Sequence, residues 1–178
     1  MVLPVPSPRT YSVEEVQTAS YANSVRDALT FLLNLPIATV YQTAAQALTS
    51  GSPAPVSYDS TAVDTYGGHS NTVSNGRYTA VVPGYYLIGG GSPMAGASGG
   101  TYRKLQAYYD GTAVAYATSA VPPTSSSGTA VTPAMSPTLV YLNAGDYVGL
   151  YAEADTSGVS TTPNTANESY MTIMWAHA

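Results

Sequence analysis

Two histidines, His69 and His177, are the side chains of this 178-residue chain that could serve as the base of a hydrolytic triad. His69 lies in the stretch Gly67-Gly68-His69-Ser70-Asn71, downstream of Asp59 and Asp64, and His177 stands one residue from the end. No Gly-x-Ser-x-Gly elbow presents a nucleophile to either of them. His69 is therefore read as a solvated loop residue, and the chain as non-enzymatic. Asp59, Asp64 and His69 could together meet a cation, yet their spacing matches no dense oxygen-ligand loop. No metal site and no cofactor is assigned. Glycoside hydrolysis needs two carboxylates set across a bond, and the ten acidic residues nominate no pair. The run Gly89–Gly100 lacks the Gly-Lys-Ser/Thr ending of a phosphate loop and leads into no helix, so it reads as a flexible connection. With no cysteine, there is no disulfide framework, thiolate zinc site or cysteine nucleophile.

Tyrosine is the more informative residue. The chain has 16, each a large, fairly rigid side chain with a polar tip, suited to subunit contacts and to stacking on sugars. Tyr66 and Tyr102, in predicted loops, are the candidate glycan contacts. Charged residues make up only 8% of the chain against a usual share of about a quarter. So little charge gives a folded surface weak protection, and large apolar patches must be covered by an oligomer or a larger assembly. A net charge of -5 with five scattered basic residues argues against nucleic acid as a partner. No stretch is long enough for a membrane-spanning helix, and the first residues lack the basic start and apolar run of a signal peptide.

The stretch Ser136–Glu153 organises the elements around these residues. Two runs rich in Val, Leu and Tyr flank Asn143-Ala144-Gly145-Asp146, four turn formers. Val140, Leu142, Val148, Leu150 and Ala152 fall on one set of alternating positions. Leu139, Tyr141, Tyr147 and Tyr151 fall on the other. Both sets are apolar, so one fills a core and the other is expected to meet a partner. Around this stretch, Asp110-Gly111 marks a hairpin between Arg103–Tyr109 and Thr112–Thr118. Pro83-Gly84 reads as a type II turn leading into a strand from Tyr85 to Ile88. Eight to ten strand candidates after residue 36 suit a mostly β, double-sheet jelly roll over residues 37–178.

Four of these segments carry a resemblance. Leu142-Asn143-Ala144-Gly145-Asp146-Tyr147-Val148-Gly149-Leu150, the strand Tyr78–Leu87, the hairpin Leu105–Val114 and the closing strand Ser169–Trp175 stand in the order of the matching segments of the complement one-q and tumour-necrosis-factor superfamily. The chain resembles that superfamily over roughly residues 40 to 178. More narrowly, it is similar to tailed-phage virion proteins that carry such a domain behind a short helical N-terminus. The resemblance implies a jelly-roll head that forms a homotrimer, with Leu139, Tyr141, Tyr147 and Tyr151 at the subunit interface. It also implies a structural role in a virion, as a minor tail, tail-tip or fibre protein made in the host cytoplasm, its head contacting a host-envelope glycan. A capsid-decorating protein of the same fold is the alternative within this class. A free carbohydrate-binding module is the alternative outside it.

Residues 1–36 read differently. Prolines at 4, 6 and 8 favour an extended arm. Ser12-Val13-Glu14-Glu15 then fits a helix-opening capping box. Val25, Ala28, Leu29 and Leu32 recur at helical spacing, with a break possible near Ser20 and Asn23. The residue before Pro36 is driven out of the helical region and ends the segment. Val25, Leu29, Leu32 and Leu33 are accordingly the docking residues, toward other virion proteins or sister helices.

Overall fold

A computed structural model describes residues 19–162 and 169–178. The capping box at Ser12 and the proline arm lie outside the described residues. The described chain opens with helix α1 (Ala19–Leu33), unbroken at Ser20 and Asn23. The Ser24 and Thr30 hydroxyls donate back to the carbonyls of Ser20 and Arg26, each at four residues' distance, so these weak formers stay inside the helix.

Among the described residues, every regular element after α1 is a β-strand. The strands are β1 (Ile37–Tyr41), β2 (Gln46–Ala47), β3 (Ala54–Pro55), β4 (Ser60–Asp64), β5 (Tyr78–Thr79), β6 (Gly84–Gly91), β7 (Met94–Gly96), β8 (Arg103–Tyr109), β9 (Thr112–Val121), β10 (Ala134–Leu142), β11 (Tyr147–Ala154), β12 (Val159–Thr161) and β13 (Tyr170–His177). One sheet has the order β10-β6-β13-β1-β4, the facing one β3-β11-β8-β9 with β5 also on β11, and a small third sheet has β2-β12-β7. All ladders are antiparallel. This is the jelly-roll sandwich expected from the sequence.

The core lies between the two large sheets. Ala38, Val40, Tyr86, Ile88, Val140, Leu142, Met171, Ile173 and Trp175 come from the first; Leu105, Ala107, Val148, Leu150 and Ala152 come from the second. Each set follows the two-residue period of its strands. Phe31, near the end of α1, is fully buried and meets Trp175 edge-on, ring centroids 5.0 Å apart. The helix is thereby pinned to the head at its C-terminal end. A boundary at residue 36 cuts through this contact.

Two expectations are corrected here. Gly89 to Gly91 belong to β6 and are not loop. A side chain on Gly90 would collide with the Tyr170 carbonyl and the Leu150 side chain, at 2.3 and 2.5 Å, so glycine here lets two layers close together. Gly84 is the first residue of β6, at φ 147°, and not the corner of a type II turn. A side chain there would strike the Trp175 ring and the His177 carbonyl.

Candidate functional site

The sandwich has two outward faces, and their side chains are disposed of differently. On the five-stranded sheet the register aligns Leu139, Leu87, Met174 and Ile37 in one row across β10, β6, β13 and β1. A second row sets Tyr141 beside Tyr85, and Tyr85 beside His177. Tyr85 meets the Tyr141 ring edge-on at 5.2 Å and stacks on His177 at 4.6 Å. Further along, Tyr170 pairs with Tyr41, and Thr172 with Thr39, whose hydroxyls lie 3.3 Å apart. Tyr85, Leu139, Tyr141, Tyr170 and Met174 are each between 39% and 46% exposed. No Asp, Glu, Lys or Arg occurs in these rows. These rows thus form an uncharged face whose large side chains stand partly open to solvent.

On the other face most large side chains are engaged within the chain, with Tyr116 of β9 left 73% exposed. Tyr108 and Tyr151 stack on each other at 3.9 Å, and the Arg77 guanidinium lies 4.4 Å above the Tyr147 ring. Lys104 pairs with Glu153, and the Tyr102 hydroxyl donates to the same carboxylate. That bond pushes the Tyr102 hydroxyl up to about 12. Burial opposes ionisation of Glu153, but the Lys104 and Tyr102 hydrogen bonds outweigh it and hold the carboxyl below its usual range. Arg103 is buried and donates to the carbonyls of Tyr102, Ala97 and Gly99, with Asp155 3.7 Å away. These groups fix the 97–103 loop.

The four residues assigned to a single interface are thus divided. Leu139 and Tyr141 sit on the open face of the five-stranded sheet, Tyr147 and Tyr151 on the opposite side of the sandwich. The cause is the turn Asn143–Asp146. The sequence pattern around it fits either a hairpin or an arch, and here the chain crosses from one sheet to the other. Inward residues of both strands then share one core, while outward residues face away from each other. Asp146 holds the arch: its carboxylate accepts from the Asn143 backbone N–H at 2.8 Å and from the Tyr109 hydroxyl at 2.8 Å. Those bonds hold its carboxyl below the usual range and push the Tyr109 hydroxyl up. Tyr85, Tyr170 and Met174 were missed; the alternation of β6 and β13 was the available signal.

The residues weighed for chemistry are engaged structurally. His69 sets one ring nitrogen 3.0 Å from the Arg77 carbonyl and the other 3.1 Å from the Tyr58 carbonyl. Asp64 accepts from the backbone N–H groups of Tyr66, Gly67 and His69, and Asp59 from the backbone and hydroxyl of Thr43. Among the described residues, no three His, Asp or Glu side chains converge as a metal site. Tyr66 follows β4 and packs partly against the core, while Tyr102 precedes β8 and is tied to Glu153. They adjoin different sheets. No described helix is long and apolar enough to cross a membrane.

No protein-family model matches the chain, and no curated protein matches it by sequence. Solved structures do. The globular domain of zebrafish complement 1qA protein superposes with a TM-score of 0.57 at 12% identity, covering 80% of this chain and 98% of that one. Eiger TNF from S. frugiperda superposes with a TM-score of 0.58 at 14% identity, covering 82% and 95%. The likeness is one of fold: this chain has the jelly roll of complement one-q and tumour-necrosis-factor-like domains.

Proposed function

We propose that the protein is a non-enzymatic virion structural component whose head assembles as a homotrimer through the open face of the five-stranded sheet. The observation that carries this reading is the uncharged set Tyr85, Leu139, Tyr141, Tyr170 and Met174, exposed together on one sheet. On a chain with 8% charged residues, such a face promotes indefinite association unless a closed contact covers it. A threefold ring closes on itself when this face of one copy meets a second patch of the next, and it then leaves nothing to propagate. The jelly-roll fold is compatible with that assembly.

The sequence resemblance to tailed-phage proteins supports the setting: a minor tail, tail-tip or fibre position, made in the host cytoplasm and assembled into the particle. Residues 1–36 are the attachment end toward other virion proteins. The head is the outward end, and its polar loops are the part that meets a host-envelope glycan. A capsid position is the alternative that particle labelling would reveal.

The test of assembly is the mass of the full-length chain in solution. Three chains of 18.4 kDa are expected, and a monomer at micromolar concentration would overturn the reading. The test of setting is immunogold labelling of purified phage particles with an antibody against the head. Label on the tail supports the proposed position, label on the capsid the alternative, and no label removes the virion role.

A further inference from the structure

The sandwich has two ends as well as two faces, and the strand register tells them apart. Helix α1 leads into β1 at Ile37, which pairs with Met174, whereas Tyr41 at the other end of β1 pairs with Tyr170. Across the same sheet, His177 stands opposite Tyr85 and Leu142 opposite Gly84 at the helix end. Tyr170 and Ala134 both stand opposite Gly91 at the far end. The arch Asn143–Asp146 crosses to Tyr147 at the helix end, so β11 runs to Ala154 at the far end. There Ala154 pairs with Arg103, and Arg103 with Val121. The segments that leave the far end are therefore 97–102, 122–133 and 155–158. Tyr102 is among them and Tyr66 is not. Tyr66 follows Thr65, whose hydroxyl donates to the Leu35 carbonyl at 2.8 Å and accepts from the Ile37 N–H at 3.0 Å. The two tyrosines thus mark opposite ends, with Tyr66 one residue from the helix junction.

We propose that the far end is the glycan-binding surface of the head, with Tyr102 as its stacking ring and a neutral saccharide as its ligand. This rests on the reading above, in which residues 1–36 attach and the head meets a glycan. Attachment through α1 takes up the end that holds Tyr66 and leaves the end that holds Tyr102 open. The far-end segments also form one built surface. The Gly96 carbonyl accepts from the Gly128 N–H at 2.8 Å and from the Ser127 hydroxyl at 3.0 Å, and the Ala97 N–H donates to the Gly158 carbonyl at 3.1 Å. Asp155 accepts from the Thr101 N–H and hydroxyl and from the Tyr102 N–H. Loops tied in this way lose less conformational entropy when they bind. Outward they show hydroxyls: Ser98, Thr101, Ser125, Ser126, Thr129 and Ser157 are exposed. Each hydroxyl can donate and accept, as the hydroxyls of a sugar do. The Tyr102 ring is held by its bond to Glu153, with the Lys104 ammonium 5.7 Å from the ring centre. Charge selects the class of saccharide. Lys104 pairs with Glu153 and Arg103 with Asp155, and no other Asp, Glu, Lys or Arg occurs in 97–104, 122–133 or 153–158. A surface whose charges cancel has no field to gather a phosphate or a uronic acid.

An array of immobilised neutral and acidic oligosaccharides, probed with the full-length chain, tests the assignment. Neutral members should bind, and Tyr102→Ala should weaken that binding on the order of tenfold. Ser98→Arg adds bulk and charge at an exposed far-end position outside the core, and it should weaken binding too. Ala144→Arg, the matching change at an exposed position of the arch, should leave binding as it is. Circular dichroism should show the β signal of the head in all three variants. Binding that survives both far-end variants would overturn the far-end site and leave the glycan reading standing, and its loss in Ala144→Arg would move the contact to the helix end. Binding confined to acidic oligosaccharides would overturn the neutral class. A native chain that binds no member of the array would overturn the glycan reading and this site with it.

Discussion

The two outward faces of this sandwich are both rich in tyrosine, yet they solve different problems. On the four-stranded side Tyr108 has Tyr151, Tyr147 has Arg77 and Tyr102 has Glu153, while Tyr116 of β9 stays 73% exposed. On the five-stranded side Tyr85 has Tyr141 and His177, but Leu139, Tyr170 and Met174 remain open and no charge stands among them. Residue type alone does not separate the proposed contact surface from the opposite face. What separates them is whether the side chains have already consumed their partners within the chain.

The largest expected effect breaks the comparison directly. Leu139→Asp with Tyr141→Asp should convert the proposed trimer to monomers, because a carboxylate buried at a subunit contact has no partner and its symmetry mates repel it. Tyr151→Asp on the other face should leave the mass unchanged. Sedimentation of both variants checks this. Dissociation by Tyr151→Asp with survival of the double variant would reverse the assignment of the faces.

Next in size is Phe31→Ala. It removes the ring that meets Trp175 and leaves a cavity in a core contact, a change of about 3–5 kcal/mol for large aromatic truncations. A melting temperature unchanged by Phe31→Ala would show that α1 is carried by the head without stabilising it. Smaller still is Tyr151→Ala, which forfeits the stack on Tyr108, about 1 kcal/mol beyond the area lost. Denaturant titration should show the loss with the trimer intact.

How much of this was legible depended on whether a signal was local. Asp110 and Gly111, at φ 44° and 78°, sit in a two-residue turn between β8 and β9, as the Asp-Gly pair predicts. The burial of Val140, Leu142, Val148, Leu150 and Ala152 also followed from alternation. Which sheet each strand joins did not follow, because a period of two is identical on both sides of an arch. That is why Tyr147 and Tyr151 were grouped with Leu139 and Tyr141. The Gly89–Gly91 strand was hidden for a related reason: glycine signals flexibility locally, whereas here it answers the close approach of Tyr170 and Leu150. The small sheet of β2, β12 and β7 joins segments far apart in sequence through very short strands, too short to show a pattern.

The smallest effect concerns the arch that sends the two faces apart. Asp146 has its carboxyl held below the usual range by the Asn143 backbone N–H, with the Tyr109 hydroxyl adding to it. Asp155 is lowered likewise, by the Thr101 hydroxyl first and then by the backbone N–H groups of Thr101 and Tyr102. In the unfolded chain both carboxyls bind a proton at higher pH than they do in the fold, so across that interval the unfolded state holds more protons. Their contribution is therefore complete above the unfolded carboxylate value of about 4 and is lost as pH falls through the lower folded values. Thermal unfolding of the full-length chain should show stability declining below about pH 5, with a shallower decline in Asp146→Asn. The asparagine keeps an oxygen for the Asn143 N–H but has no proton to gain, so the variant should be less stable than the native chain at neutral pH and closer to it in acid. Parallel pH profiles for the two proteins would mean that the Asn143–Asp146 arch is held by its backbone bonds alone, and that the carboxylate is dispensable to the separation of the faces.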